Sequence, residues 1–178
     1  VSHYLLARAL DSAGLQEKDL TVVNTSDADM VAAFTTPEVV AAVTWNPLVS
    51  TIMELPGVSK VYDSSDIPGE IIDMMVVNTE TLQANPKFGK ALVGAWYETM
   101  ALMKNDDKPA MMARSAMAEA SGTDLAGYDS QLATTEMFYT PASAVAFTNS
   151  PALIQTMDYV RKFLFAHGIL GEGAPSAD

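Results

Sequence analysis

The sequence contains no cysteine. That excludes disulfides, thiolate nucleophiles and cysteine-ligated zinc, and it suits an exported protein that avoids thiol oxidation. Basic residues are scarce: 10 Lys and Arg against 22 Asp and Glu give a formal net charge of −12. A surface that acidic repels phosphate backbones and anionic lipid, and there is no basic stripe, so nucleic acid is not an expected partner. No apolar run reaches the roughly eighteen residues that would span a bilayer, so no membrane insertion is expected. Only two histidines occur, His3 and His167. With no G-x-S-x-G elbow and no cysteine, nucleophilic catalysis lacks its usual parts. Neither G-x-x-x-x-G-K-[ST] nor G-x-G-x-x-G occurs, so no phosphate cradle is signalled. The acids of "SDAD" at 26–29 lack the spacing of a calcium loop and read as a helix cap with acids in the first turn. No metal and no cofactor is expected.

What remains is a chain able to bury a core. It has 178 residues, 49% of them hydrophobic, enough for one ordinary domain or two small lobes. The 11 methionines fall mostly on apolar faces and read as core filling. The opening "VSHYLLARAL", with neither Met nor signal peptide, and the loose end "GEGAPSAD" read as those of a fragment.

Apolar spacing predicts a helix from a Ser2 cap to a stop at Gly14, and a second helix from "SDAD" to Phe34, broken by Pro37. A third follows Pro47 and ends at Pro56-Gly57. Four runs read as strands: 20–24, 39–45, the weaker 59–63, and 71–78. From Asn85 onward the pattern is mostly helical: a long helix carrying Phe88, Leu92, Trp96, Met100 and Met103 near one face, helices near 109–120 and 123–134, a short one from Pro141, and one from Pro151 to a stop at Gly168. Early alternation of β and α predicts an α/β fold with a parallel sheet and flanking helices.

Three polar or aromatic features stand out. Ser2, His3 and Tyr4 sit at a helix start, where free N–H groups point outward. Trp45 and Asn46 sit where an apolar strand ends, the edge at which open α/β sheets bind ligands. Glu70 and Asp73 flank and enter the apolar run "IIDMMVV". Asp73 needs a partner or a ligand there, because a lone buried carboxylate is costly. Glu70 reads as a solvated loop residue. His167 reads as a helix-end residue favourable to the macrodipole. His3 is either a helix-start residue or a ligand group.

The strings "SHYLLARALDSAGL", "VVNTSDADMVAAFTTPEVVAAVTWNP" and "IPGEIIDMMVVNTETLQANPKFGKALVGAW" together resemble the periplasmic solute-binding proteins of the nitrate/sulfonate/taurine type, the THI5-like group. The nearest likeness is to the urea-carboxylase-associated subgroup of ABC-transporter binding proteins. The resemblance implies a type II periplasmic-binding-protein fold: a two-lobed α/β receptor that closes on a small solute and docks on an ABC permease, periplasmic or, in a Gram-positive cell, lipid-anchored outside the membrane. Residues 1–70 would be most of lobe two. Residues 71–178 would supply the crossing strand and mainly helical parts of lobe one, with a hinge near Pro68 to Val76. The intact protein would be a monomer, whereas a fragment with an uncovered lobe face has reason to dimerise. On this resemblance the ligand-binding candidates are Ser2, Trp45, Asn46, Glu70 and Asp73, with Asn46 standing where relatives often carry an acid, and the helix start adds His3.

Charge bears on the ligand. Nitrate or sulfonate would want basic side chains at the site, and Arg8 lies two turns into its helix, an expected distance too great. A guanidinium would want carboxylates and an aromatic face, and urea has the same planar shape without charge. A planar nitrogenous solute, urea or guanidinium-like, is therefore the expected ligand. A taurine-type receptor, a THI5-like pyrimidine-synthesising enzyme and a solute sensor are the alternatives.

Overall fold

A computed structural model describes residues 1–170, 173, 175 and 176. The chain divides into two compact units, one formed by Val1–Ile71 with Pro151–Asp178 and the other by Ile72–Ser150.

In the first unit, α1 (Ser2–Ser12), α2 (Asp27–Phe34), α3 (Leu48–Met53) and α9 (Pro151–Ala166) are joined by loops and by short 3₁₀ turns at Glu17–Asp19 and Ser64–Asp66. Tyr4 and Ala7, one helical turn apart on α1, are buried with Ile67 and Phe163. Tyr62, Ile71, Val160 and Leu164 pack around them. Ala7 has no exposed surface, and a residue that small lets the helix backbone come close to its neighbours. α1 begins at Ser2 with Val1 in the cap position and no side-chain cap bond. Ser2 is therefore the first helical residue, not the cap expected from its hydroxyl. Gly14 takes φ +70° just beyond the helix, the left-handed conformation that ends helices and that glycine adopts without penalty.

The second unit holds α4 (Thr79–Ala84), α5 (Pro86–Lys104), α6 (Lys108–Ala120), α7 (Leu125–Leu132) and α8 (Pro141–Thr148). Asn78, Asp107, Asp124 and Thr140 each accept a hydrogen bond from a backbone N–H in the first turn of the helix that follows. These caps satisfy donors that a helix start leaves open. Met100 and Met103 on α5 and the stripe Ala110, Arg114 and Ala118 on α6 are the buried positions. Phe88 and Trp96, expected on the same covered face of α5, are 43% and 47% exposed. Arg114 is 8% exposed. It donates from Nη1 to the carbonyls of Met103 (3.0 Å) and Asn105 (2.7 Å) and from Nε to Asp129 Oδ1 (2.8 Å). One guanidinium thus joins the C-terminal end of α5, the body of α6 and α7.

The expected α/β architecture, a type II periplasmic-binding-protein fold with a parallel-sheet lobe, is not what forms. Among the described residues there is no strand and no sheet. The runs 21–26, 39–45, 58–63 and 72–78 lie outside helices and without ladder partners. Val40 and Val61 are each 91% exposed, and Val76 is 81% exposed. β propensity measures how well a side chain fits a pleated, half-covered surface. It does not supply the neighbouring strand, whose hydrogen bonds link residues far apart in the chain. Three of these runs belong to the first unit and 72–78 to the second.

Candidate functional site

The most densely connected polar group of the first unit grows from α1. Tyr4 and Arg8 are four residues apart and share a helix face. The carboxylate they meet comes from a turn. Ile67 is buried in the core, Pro68 and Gly69 follow, Gly69 takes φ +78°, and the Glu70 N–H donates to the Ile67 carbonyl at 3.1 Å. Proline second and glycine third is the pattern of a type II turn. Its anchor in the core turns Glu70 onto α1. Tyr4 donates its hydroxyl to Glu70 Oε2 at 2.5 Å, and Arg8 donates Nε to Oε2 at 2.8 Å and Nη2 to Oε1 at 3.0 Å.

α9 and the turn that follows it supply the other wall. Tyr159, Phe163 and His167 recur every four residues and form a column of rings: Tyr159 and Phe163 at 6.0 Å, Phe163 and His167 stacked at 4.0 Å. Tyr4 meets Phe163 edge-on at 5.4 Å. The Arg8 guanidinium carbon lies 5.0 Å from the Tyr159 centroid and 5.3 Å from that of Phe163, close enough for the ring faces to attract the cation.

These contacts set the proton affinities. Burial pushes the Glu70 carboxyl up, but the hydrogen bonds from Arg8 and Tyr4 and the Arg8 charge outweigh it, so the group is held below its usual range. The Tyr4 hydroxyl is raised by burial, then by its bond to the Glu70 carboxylate. The bond to Glu70 raises Arg8, which stays charged. Burial also raises Tyr159. The charges of Arg8 and Glu70 cancel, and the exposed Asp11 carboxylate adds a longer contact to Arg8 Nη1 at 3.5 Å.

A second polar group lies on Glu17, in the 3₁₀ turn after α1. His3 Nε2 is 2.6 Å from Glu17 Oε2, and His167 Nδ1 is 3.8 Å from Oε1. A groove of about 550 Å³ opens here, lined by Asp11, Gln16, Glu17, Lys18 and His167 among others. Among the described residues no set of three or more histidines and acids is arranged to hold a metal ion.

The structure places the sequence candidates as follows. Ser2 is half-buried in the first turn of α1, and His3 is exposed and engaged by Glu17. Trp45 is 52% exposed, and its carbonyl accepts the Val49 N–H at 3.1 Å. Asn46 accepts from the Ser50 hydroxyl at Oδ1, 3.0 Å, and the Asn46–Pro47 peptide is cis. Among the described residues no hydrogen bond or ring contact joins Trp45 or Asn46 to the Arg8 cluster. Asp73 is exposed and lies in the second unit, so solvation meets the cost that called for a partner. Glu70 departs from expectation: it is not a solvated loop residue but a carboxylate with 11% of its side chain exposed. Arg8, expected to lie too far away, is its partner. Arg8, Glu17, Tyr159 and Phe163 were not legible as candidates, and Tyr4 stood out only as part of the helix start. The four-residue spacings of Tyr4 with Arg8, and of Tyr159 with Phe163 and His167, are the signals that could have drawn attention to them.

The sequence model of the NMT1-like family matches residues 1–119. No match is found among curated proteins or among solved structures. The matched span includes Tyr4, Arg8, Trp45, Asn46 and Glu70 and stops short of α9.

Proposed function

The chain belongs to the NMT1-like family, and from that premise we propose that it is the extracytoplasmic solute-binding component of an ABC importer, delivering a small solute to a permease. The single observation that carries this reading is the family match, which covers 119 of the 178 residues. Membership points to a solute-binding protein of the nitrate/sulfonate/taurine type. No helix of the described residues is long and apolar enough to cross a membrane.

Within that class the proposed ligand is a small planar nitrogenous solute, with urea ahead of guanidinium. Two features support the choice. Arg8, the one arginine of α1, is held bidentately by Glu70. An incoming anion would find that charge already neutralised, and an incoming cation would find the carboxylate already taken. Trp45 is half exposed, and the Asn46 amide next to it in the chain carries a donor NH2 besides the oxygen that Ser50 occupies. Stacking together with amide hydrogen bonding suits an uncharged planar molecule.

Titration calorimetry with urea, guanidinium, taurine and nitrate tests the proposal. The expected result is stoichiometric urea binding without turnover, weakened at least about tenfold by Trp45→Ala, a loss of about 1.4 kcal/mol. An Asn46→Ala variant that keeps full affinity would leave Asn46 with its structural bond to Ser50 alone. Binding of taurine or nitrate with none of urea or guanidinium would overturn the ligand assignment, and consumption of the solute would overturn the receptor reading in favour of an enzyme.

A further inference from the structure

The surroundings of Arg8 have the full chemistry of a guanidinium receptor. A carboxylate takes the planar fork through two parallel N–H···O bonds at 2.8 and 3.0 Å, the pairing that a guanidinium makes and an ammonium does not. The Tyr4 hydroxyl donates to Oε2 of the same carboxylate at 2.5 Å. Two aromatic faces, Tyr159 at 5.0 Å and Phe163 at 5.3 Å, cover the cation. Phe163 is itself fixed, edge-on to Tyr4 and stacked on His167. Only 15% of the Arg8 side chain and 11% of the Glu70 side chain are exposed.

We propose that Tyr4, Glu70, Tyr159 and Phe163 form a binding cage for an alkylguanidinium group and that Arg8 is its tethered occupant. In this arrangement Arg8 is a ligand supplied by the chain itself. It closes α1, the 67–70 turn and α9 around one cation, and it keeps free guanidinium compounds out. A group on a short tether competes at an effective concentration in the millimolar range, so a soluble alkylguanidinium gains entry only when Arg8 is absent. The cage is separate from the Trp45 and Asn46 candidates and does not rest on the transport reading.

The test is chemical rescue in the full chain. Arg8→Ala removes, beyond Cβ, the atoms that ethylguanidinium restores. The expected result is that millimolar ethylguanidinium raises the melting temperature of Arg8→Ala saturably. Ethylammonium and sodium chloride at equal ionic strength should not do so. The wild type and the Arg8→Ala, Glu70→Gln double variant should require at least about ten times more ethylguanidinium for any comparable shift. Should Arg8→Ala be unfolded alone, recovery of helical circular dichroism on adding ethylguanidinium is the same positive result. No shift and no recovery, an equal response to ethylammonium, or an equal response of the double variant would each overturn the cage.

Discussion

Arg8 meets Glu70 side-on, Nε on Oε2 at 2.8 Å and Nη2 on Oε1 at 3.0 Å, across 62 residues of chain. The contact fixes the turn at 67–70 to α1 and seats the guanidinium against the rings of α9. Each unit carries one tryptophan, Trp45 in the first and Trp96 in the second. Fluorescence in a Trp96→Phe or Trp45→Phe background therefore reads each unit separately.

Glu70→Ala strips Arg8 of its partner while both side chains are mostly covered. Breaking a buried pair costs about 3–5 kcal/mol and an exposed one below about 1, so a loss of about 2–3 kcal/mol is expected in thermal unfolding followed at Trp45. The Glu70 carboxyl is held below its usual value. Its contribution is then present above the unfolded value of about 4.3 and lost as pH falls through the folded one. The acid loss should shrink in Glu70→Ala, and an unchanged acid profile would deny the pair its part in acid stability.

Tyr4→Phe keeps the ring against Phe163 and deletes the hydroxyl bonded to Glu70. A bond to a charged acceptor is worth about 1.5–3 kcal/mol, and the variant should lose stability near the lower figure at neutral pH. Burial and the Glu70 contact raise the Tyr4 hydroxyl, so its contribution is present below the ordinary value of about 10 and declines as pH rises above it. Tyrosinate absorbance titration should show one late-ionising group fewer in the variant. Loss in the variant of a group that ionises near the ordinary value of about 10 would contradict the placement of Tyr4.

Asp63→Asn tests the 3₁₀ turn at Ser64–Asp66. Asp63 pairs with Lys60 and accepts the Ser65 N–H at 2.8 Å, while the Asp63 N–H donates to Asp66 at 2.8 Å. The Lys60 contact, then the Ser65 bonds, hold its carboxyl at about 2. Its stabilising effect is present above about pH 4 and disappears between there and about pH 2. Asn still caps, so the expected loss is below about 1 kcal/mol at pH 7 and smaller still at pH 2.5. A larger loss at pH 2.5 than at pH 7 would reverse the assigned sign.

Arg114→Met empties the junction of α5, α6 and α7. It leaves the Met103 and Asn105 carbonyls and Asp129 without this donor. Each unsatisfied buried acceptor costs about 1–3 kcal/mol, so a loss of about 3 kcal/mol is expected at Trp96. Arg114→Lys should recover little, because an ammonium cannot span the three acceptors as the guanidinium fork does. Full recovery by lysine would show that charge alone suffices there.

The helices were legible because their signals are local. Pro86, Pro141 and Pro151 stand at first helical positions, Gly14 and Gly168 lie just past helix ends with positive φ, and Ser26 precedes the acids of α2. The short helix α4 went unread because an apolar run leads into it, and the run suggested a strand continuing to Asn78. The candidate site was legible only in part. Trp45 and Asn46 were singled out by residue type, and among the described residues no hydrogen bond or ring contact joins them to the Arg8 cluster; Glu70 was read as solvated because the turn that buries it depends on where Ile67 packs.

By itself the sequence determined composition, an acidic net charge, the absence of thiol chemistry, the places of most helices and membership of a family, all properties of residues close together along the chain or of the chain as a string. Tertiary structure alone decided two things. The β-rich runs remain without ladders, because a strand is stabilised by a neighbour and not by its own propensity. Arg8 meets Glu70, because an apolar contact between Ile67, Ala7 and Phe163 brings a distant turn against α1, and once there a buried carboxylate needs a cation.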